Sequence, residues 1–145
     1  MAKLTASRSA QWPLVAEFSF NFDDTMVNTS GVEVDFGSSN VAATVVELIP
    51  LPPGAVVTGG SVDRSVAFDA ATYNVSIGDS AVADRYLSVT DLKAVGSTAL
   101  VPTGYRGVGQ NVRMTVTAAD VCTTGVATVR VEYVVEGRSN EVQIS

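Results

Sequence analysis

Thr128-Val129-Arg130-Val131-Glu132-Tyr133-Val134-Val135 carries apolar side chains at 129, 131, 133 and 135, set between the polar Thr128, Arg130 and Glu132. Successive side chains of an extended chain point to opposite sides, so this period of two describes a β-strand with one buried face. The same period recurs upstream. Phe18, Phe20 and Phe22 alternate with Glu17, Ser19 and Asn21, and Val32, Val34 and Phe36 with Glu33 and Asp35. Tyr73, Val75 and Ile77 alternate with Thr72, Asn74 and Ser76, and Val112, Met114 and Val116 with Arg113, Thr115 and Thr117. Five separate segments with one period set the fold class as all-β.

Between these runs lie further strands of weaker pattern. Val41 to Ile49 is apolar on both faces apart from Thr44 and Glu47, as a central strand is. Ala55 to Thr58 and Ser61 to Phe68 flank Gly59-Gly60, which reads as a two-residue hairpin, because glycine adopts positive φ without steric cost. Arg85 to Thr90, Ala99 to Val101 and Glu141 to Ile144 are additional candidates. Turn-forming residues punctuate the chain at 28–31, 37–40, 50–54, 78–80 and 123–125. No segment shows a helical stripe capped at both ends; one turn of helix is expected at most, near 90–94 or 118–122.

Eight or nine short strands argue a two-sheet antiparallel sandwich, and a jelly roll of eight strands fits their count and length best. An immunoglobulin-like sandwich is the alternative, but its Cys…Trp…Cys spacing is absent. Residues 1–13 have no strand pattern and no acid, and they contain Lys3, Arg8 and Trp12-Pro13. They read as an extended N-terminal arm ahead of a single sandwich domain, 14–145.

Composition narrows function. The 145 residues are 46% hydrophobic and 17% charged, which describes a folded chain with a core rather than a solvated tail. The formal charge is −6, and no Lys/Arg cluster lies outside the arm. Nucleic acid and anionic membranes, both bound through basic faces, are therefore not expected partners. Cys122 is the only cysteine, so no intrachain disulfide forms; beside Val121 it reads as a small buried apolar side chain. No apolar run is long enough to span a bilayer as a helix, and no apolar segment follows Lys3 and Arg8 as in a secretory signal. Synthesis and retention in a cytoplasm are expected.

Catalysis is not expected. The sequence has no histidine, which removes His-activated nucleophiles, His general bases and His-ligated metals. The only lysines are Lys3 and Lys93, a poor basis for amine chemistry. Gly104-Tyr105-Arg106-Gly107-Val108-Gly109 has glycines but no helix after it, and reads as a flexible loop rather than a phosphate cradle. Asp23, Asp24, Glu33 and Asp35 would converge on a hard cation if the first two alternating strands paired; a solvated acidic edge is the simpler reading. Asp79, Asp84, Asp91 and Arg85 are accounted for by an Asx-type turn and a surface ion pair. No cofactor is expected.

The run Val46-Glu47-Leu48-Ile49-Pro50-Leu51-Pro52-Pro53-Gly54-Ala55-Val56-Val57-Thr58-Gly59-Gly60, with Val75-Ser76-Ile77-Gly78-Asp79 and Asp84-Arg85-Tyr86-Leu87, resembles tailed-bacteriophage structural proteins. It is similar to the jelly-roll cement, or decoration, proteins that coat the heads of short-tailed phages, of the Bordetella phage type, over residues 41–135. The resemblance implies a non-enzymatic protein of the capsid exterior, made in the bacterial host cytoplasm. It implies binding to the major capsid protein across neighbouring subunits, as a homo-oligomer with a dimer favoured.

Candidate partner-binding residues come from the termini. Lys3, Arg8, Trp12 and Pro13 form a basic arm with an aromatic anchor, a combination enriched at interface hot spots. Val142 and Ile144, alternating in Glu141-Val142-Gln143-Ile144-Ser145, suit a strand added to a neighbour's sheet edge. The competing reading is a receptor- or glycan-binding head-fibre or tail module on the same fold. It requires an exposed aromatic patch, with Tyr86 and Tyr105 as its candidates.

Overall fold

The computed structural model describes residues 13–37 and 43–135. Ten strands run in the order β1 (Leu14–Asn21), β2 (Thr25–Val27), β3 (Glu33–Asp35), β4 (Thr44–Ile49) and β5 (Ala55–Val66), followed by β6 (Thr72–Gly78), β7 (Leu87–Asp91), β8 (Gly96–Ala99), β9 (Val112–Ala119) and β10 (Val126–Val135). Eight of them form two four-stranded antiparallel sheets, β1-β10-β5-β8 and β4-β9-β6-β7. Four pairs nest inside one another: β6 with β7, β5 with β8, β4 with β9, β1 with β10. Rolling that ribbon brings β10 against β5 and β9 against β6, which is the jelly-roll plan expected from the strand count.

The alternating positions fill the space between the sheets. Phe20, Val129, Val131, Tyr73, Val75, Ile77, Val112, Met114 and Val116 are all buried. At one end the aromatic rings pack together: Phe20 lies 5.0 Å from Phe36 and 5.7 Å from Phe68, and Phe68 stacks on Tyr73 at 4.2 Å. Among the described residues this is one continuous core, with Cys122 inside it as expected.

Three expectations are corrected. Gly59-Gly60 is no hairpin; both glycines lie within the twelve-residue β5. Opposite Glu132 and Tyr133 the register passes from Gly59 to Val57, so Thr58 is an extra, bulged residue. The bulge moves the buried positions from 55 and 57 to 62, and a broken alternation resembles two strands. Second, Val41 to Ile49 is not central: β4 is an edge of its sheet. Its double-sided apolar character has a local cause: the register passes from Glu47 to Ile49, so Leu48 is an extra residue and the buried positions move from Val46 to Ile49, while the turn between β2 and β3 covers the edge. Thr29 N–H donates to Val45 O at 2.9 Å, and Asn28 Nδ2 donates to Thr44 Oγ1 at 3.1 Å.

Third, Val32 to Phe36 reduces to the three-residue β3, paired only with β2; Val32 is exposed while Phe36 is buried just past the strand end. Neither stretch at which a turn of helix was allowed, 90–94 or 118–122, is helical. Residues 90–91 belong to β7 and 118–119 to β9, and Asp120 turns the chain at φ 68°. An aspartate tolerates that left-handed conformation better than most side chains.

Candidate interaction surfaces

Of the residues expected to meet a partner, Pro13 is described. It is exposed and directly precedes β1. Lys3, Arg8, Trp12, Val142 and Ile144 lie outside the described residues. Leu14 pairs with Tyr133 in adjacent strands, so Pro13 and Val135 lie at the same end of the sandwich.

The four sheet edges differ. The β4 edge is covered by the β2–β3 turn, β7 pairs with β6 through an irregular register, and β8 has only four residues. These are ordinary ways of blunting an edge. In contrast β1 is eight residues long and keeps an unbroken register with β10. Phe22 N–H donates to Gly125 O, so the even-numbered residues of β1 turn their backbone groups towards β10 and the odd-numbered ones turn theirs outward. At the far end Asp24 Oδ2 accepts the outward N–H of Asn21 at 2.9 Å. Val15, Glu17 and Ser19 have no such cap among the described residues. Leu14 and Val15 are exposed, and the core-facing Ala16 and Phe18 are only partly buried.

The outer face of the β1-β10-β5-β8 sheet carries a polar ladder across all four strands. Arg130 Nε donates to Glu17 Oε1 at 2.8 Å, and Arg130 Nη1 to Asp63, which also accepts from Ser97 and Ser61. The Ser97 hydroxyl is the main cause holding the Asp63 carboxyl below its ordinary range, against a smaller burial effect. On the opposite sheet Arg113 and Asn111 bind Glu47 at 2.8 and 3.2 Å and lower its pKa in the same way. Exposed pairs of this kind are screened by water, so the ladder aligns strands more than it stabilises them. The sequence marked none of these partners; their outward places on alternating strands were the available signal.

The Asp79–Arg85 pair is not on the surface. Asp79 Oδ1 accepts Ala81 and Val82 N–H, both at 2.9 Å, which bears out the Asx turn, and Oδ2 accepts Arg85 Nε at 2.5 Å. Side-chain exposure is 3% for Asp79 and 14% for Arg85, because the guanidinium lies 3.6 Å from the centre of the Tyr105 ring. Tyr105 in turn is hydrogen-bonded to Gln110. Burial pushes the Asp79 carboxyl up, but Arg85 and the loop N–H groups hold it net below its ordinary value. The 104–109 segment is likewise fastened rather than loose: Gly54 N–H donates to Gly107 O and Gly107 N–H to Ala55 O, each at 2.8 Å. Tyr86 is buried and Tyr105 is half-covered by Arg85, so these two do not make an exposed aromatic patch.

The four acids do not assemble as a metal set. β3 pairs with β2 and not with β1, and among the described residues no three His, Cys, Asp or Glu side chains could hold an ion together. The Cys122 thiol is pushed up by burial, which leaves it a poor nucleophile. Nearby, Asp69 accepts Thr123 N–H and hydroxyl and Thr124 N–H, which hold its carboxyl far below the usual range.

No family model matches the sequence, and no curated protein does. Solved structures do. The fold is similar to a chain of the cyanophage Pam1 capsid asymmetric unit, at 22% identity over 91% of this chain and 92% of that one, with a TM-score of 0.58. It is similar to a chain in the acidic stable capsid structure of Helicobacter pylori bacteriophage KHP30, at 22% identity over 93% and 96%, with a TM-score of 0.62. A third likeness is to a chain in the capsid of Ralstonia phage GP4, at 15% identity over 95% and 93%, with a TM-score of 0.56. At these identities the likeness is one of fold, and it extends over nearly the full length of each chain.

Proposed function

We propose that this chain is a bacteriophage capsid cement, or decoration, protein that binds the outer surface of the head and bridges neighbouring major capsid subunits. One observation carries the reading: the rolled eight-strand ribbon matches chains of three phage capsids over more than nine-tenths of their length and its own. A sequence without histidine fits a non-catalytic role, and a charge of −6 fits a protein that must not bind packaged or free DNA. Many copies engage one shell, so modest individual contacts give slow loss of the whole coat. The major capsid protein is the partner and the capsid exterior the location, after synthesis in the host cytoplasm. Contacts are assigned to Lys3, Arg8, Trp12 and Pro13, and to Val142 and Ile144, with the free chain a dimer. The glycan-binding reading is not favoured, because Tyr86 is buried and Tyr105 is engaged by Arg85.

The test is co-sedimentation with heads assembled without this chain. The full chain binds and raises the temperature at which the shell breaks. A variant carrying Lys3→Ser, Arg8→Ser and Trp12→Ser keeps its β-sheet circular dichroism but binds at least about tenfold more weakly, a loss of ~1.4 kcal/mol. No binding of the full chain rejects the cement reading; full binding by the variant removes the arm from it.

A further inference from the structure

We infer that an apolar corner on the outer face of the β1-β10-β5-β8 sheet is the surface this chain sets against an uncharged, apolar patch of a major capsid subunit. Pro13, Val15, Val56, Val134, Pro53 and Val108 form it. The inference rests on the cement reading and names the described surface that would carry it out. Outward positions of a strand with one buried face are polar as a rule, because the core takes the apolar side. Over much of this face they are, in the ladder of Glu17, Arg130 and Asp63. Towards the end where β1 begins the rule breaks. Val15 shares its side with Glu17, and Val134 shares its side with Arg130 and Glu132. Val134 pairs with Val56, and Val56 with Arg106 in an isolated bridge. Leu14 pairs with Tyr133, so Pro13 stands level with Val134 and on the side of Val15. Past the end of β5 the patch continues into two loops, where a Cβ on Gly109 would lie 3.5 Å from Pro53 Cγ. Val108 is 75% exposed, the most of any large apolar side chain among the described residues, and Val15 is 56% exposed.

The corner is shaped before anything binds it. Gly54 N–H donates to Gly107 O and Gly107 N–H to Ala55 O. Val108 N–H donates to Gln110 Oε1 at 3.2 Å, Gln110 is bonded to Tyr105, and Arg85 lies over the Tyr105 ring. A stiff apolar tip loses little entropy on docking, which a loose loop would. The occupant follows from position and charge. Pro13, the described member of the contacts assigned to the shell, lies inside the patch. Twelve residues precede it and ten follow Val135, and the chain enters and leaves the described sandwich at this end. A partner engaged through either terminus therefore meets this corner. The patch itself holds no charged side chain, with Glu132 and Arg106 at its border, which is the usual form of a protein–protein contact. Asp23, Asp24, Asp69 and Asp120 stand at the opposite end, beyond Asn21, Val66 and Ala119, and would point away from the shell.

The test is co-sedimentation of the full chain with heads assembled without it, for three paired variants. Val15→Lys with Val108→Lys is expected to bind at least about tenfold more weakly. Val15→Ser with Val108→Ser, which adds no charge, is expected to bind at least about threefold more weakly. Val89→Lys with Val121→Lys, on the other sheet and at the far end with exposures of 70% and 60%, is expected to bind like the unaltered chain. Unchanged binding by either Val15/Val108 variant overturns the inference, as does equal loss in the Val89/Val121 variant. Two measurements on the isolated chain test the other occupants. A Val15/Val108 lysine variant that alters the sedimentation coefficient assigns the corner to a second copy. One that lowers the urea midpoint, where the Val89/Val121 variant does not, assigns it to the chain's own terminal residues. Either result overturns the inference while leaving the cement reading in place. No binding by the unaltered chain rejects that reading, and this surface with it.

Discussion

Tyr73 shows what one side chain does when its period and its chemistry disagree. Alternation with Thr72 and Asn74 sends it inward, where it is wholly buried and stacked on Phe68. Among the described residues its hydroxyl has no hydrogen-bond partner, and burial pushes the phenol well above its ordinary value. A buried donor left unbonded costs about 1–3 kcal/mol, while the ring supplies the packing. Tyr73→Phe keeps the ring and removes the unpaired group. The variant is therefore expected to be more stable by about 1 kcal/mol, read as a higher urea midpoint with an unchanged slope. A lower midpoint would mean that the hydroxyl has a partner in solution. The period of Tyr73, Val75 and Ile77 was readable from the chain; the fate of the hydroxyl was not, since it depends on Phe68, Asp35 and Cys122, which reach it from other elements.

At the scale of the element, β5 shows why a strand can be legible and its continuity not. Both halves alternate, but the bulge at Thr58 shifts the phase, and two adjacent glycines fit a turn as well as a bulge. The two glycines are not equivalent. A Cβ at Gly60 would stand 2.1 Å from Arg130 O and 2.9 Å from a Leu100 methyl, at φ +138°. A Cβ at Gly59 would meet only the mobile end of Glu132, at 3.2 Å. Gly60→Ala is expected to cost about 3 kcal/mol or more, from strain and from the push on β10. Gly59→Ala is expected to change stability by less than about 1 kcal/mol. Equal effects in thermal unfolding would contradict the bulge. The β4 edge carries the same lesson: the extra residue Leu48 moves the buried positions from Val46 to Ile49, so the strand reads as apolar on both sides and central, although only the β2–β3 turn lies along its edge. The candidate site was legible only as pattern. Alternation in 141–145 and basic residues in the arm are local features of the sequence, whereas which strands form sheet edges is set by strand order.

For the whole molecule the pattern of acids sets a pH response. Glu47, Asp63, Asp69 and Asp79 all have carboxyls below their ordinary values, each through hydrogen bonds or an arginine in the fold. A carboxylate whose folded value lies below its unfolded value, about 4, stabilises fully above that pH and loses its contribution as acid protonates it. The four act in different places: Glu47 and Asp63 tie strands across the two outer faces, Asp69 holds the 123–124 turn, and Asp79 holds the loop before β7. Acid therefore releases both sheets and two of their connections together. With no histidine in the sequence, no side chain of ordinary pKa titrates between about pH 5.5 and 7.5. Relief of self-repulsion from a net charge of −6 works against the loss as acid lowers that charge. The urea midpoint is thus expected to be flat from pH 7.5 to 5.5 and to fall steadily below about pH 4. A step between pH 5.5 and 7.5 would contradict this account, and a midpoint that holds to about pH 2 would show that the four carboxylates contribute little.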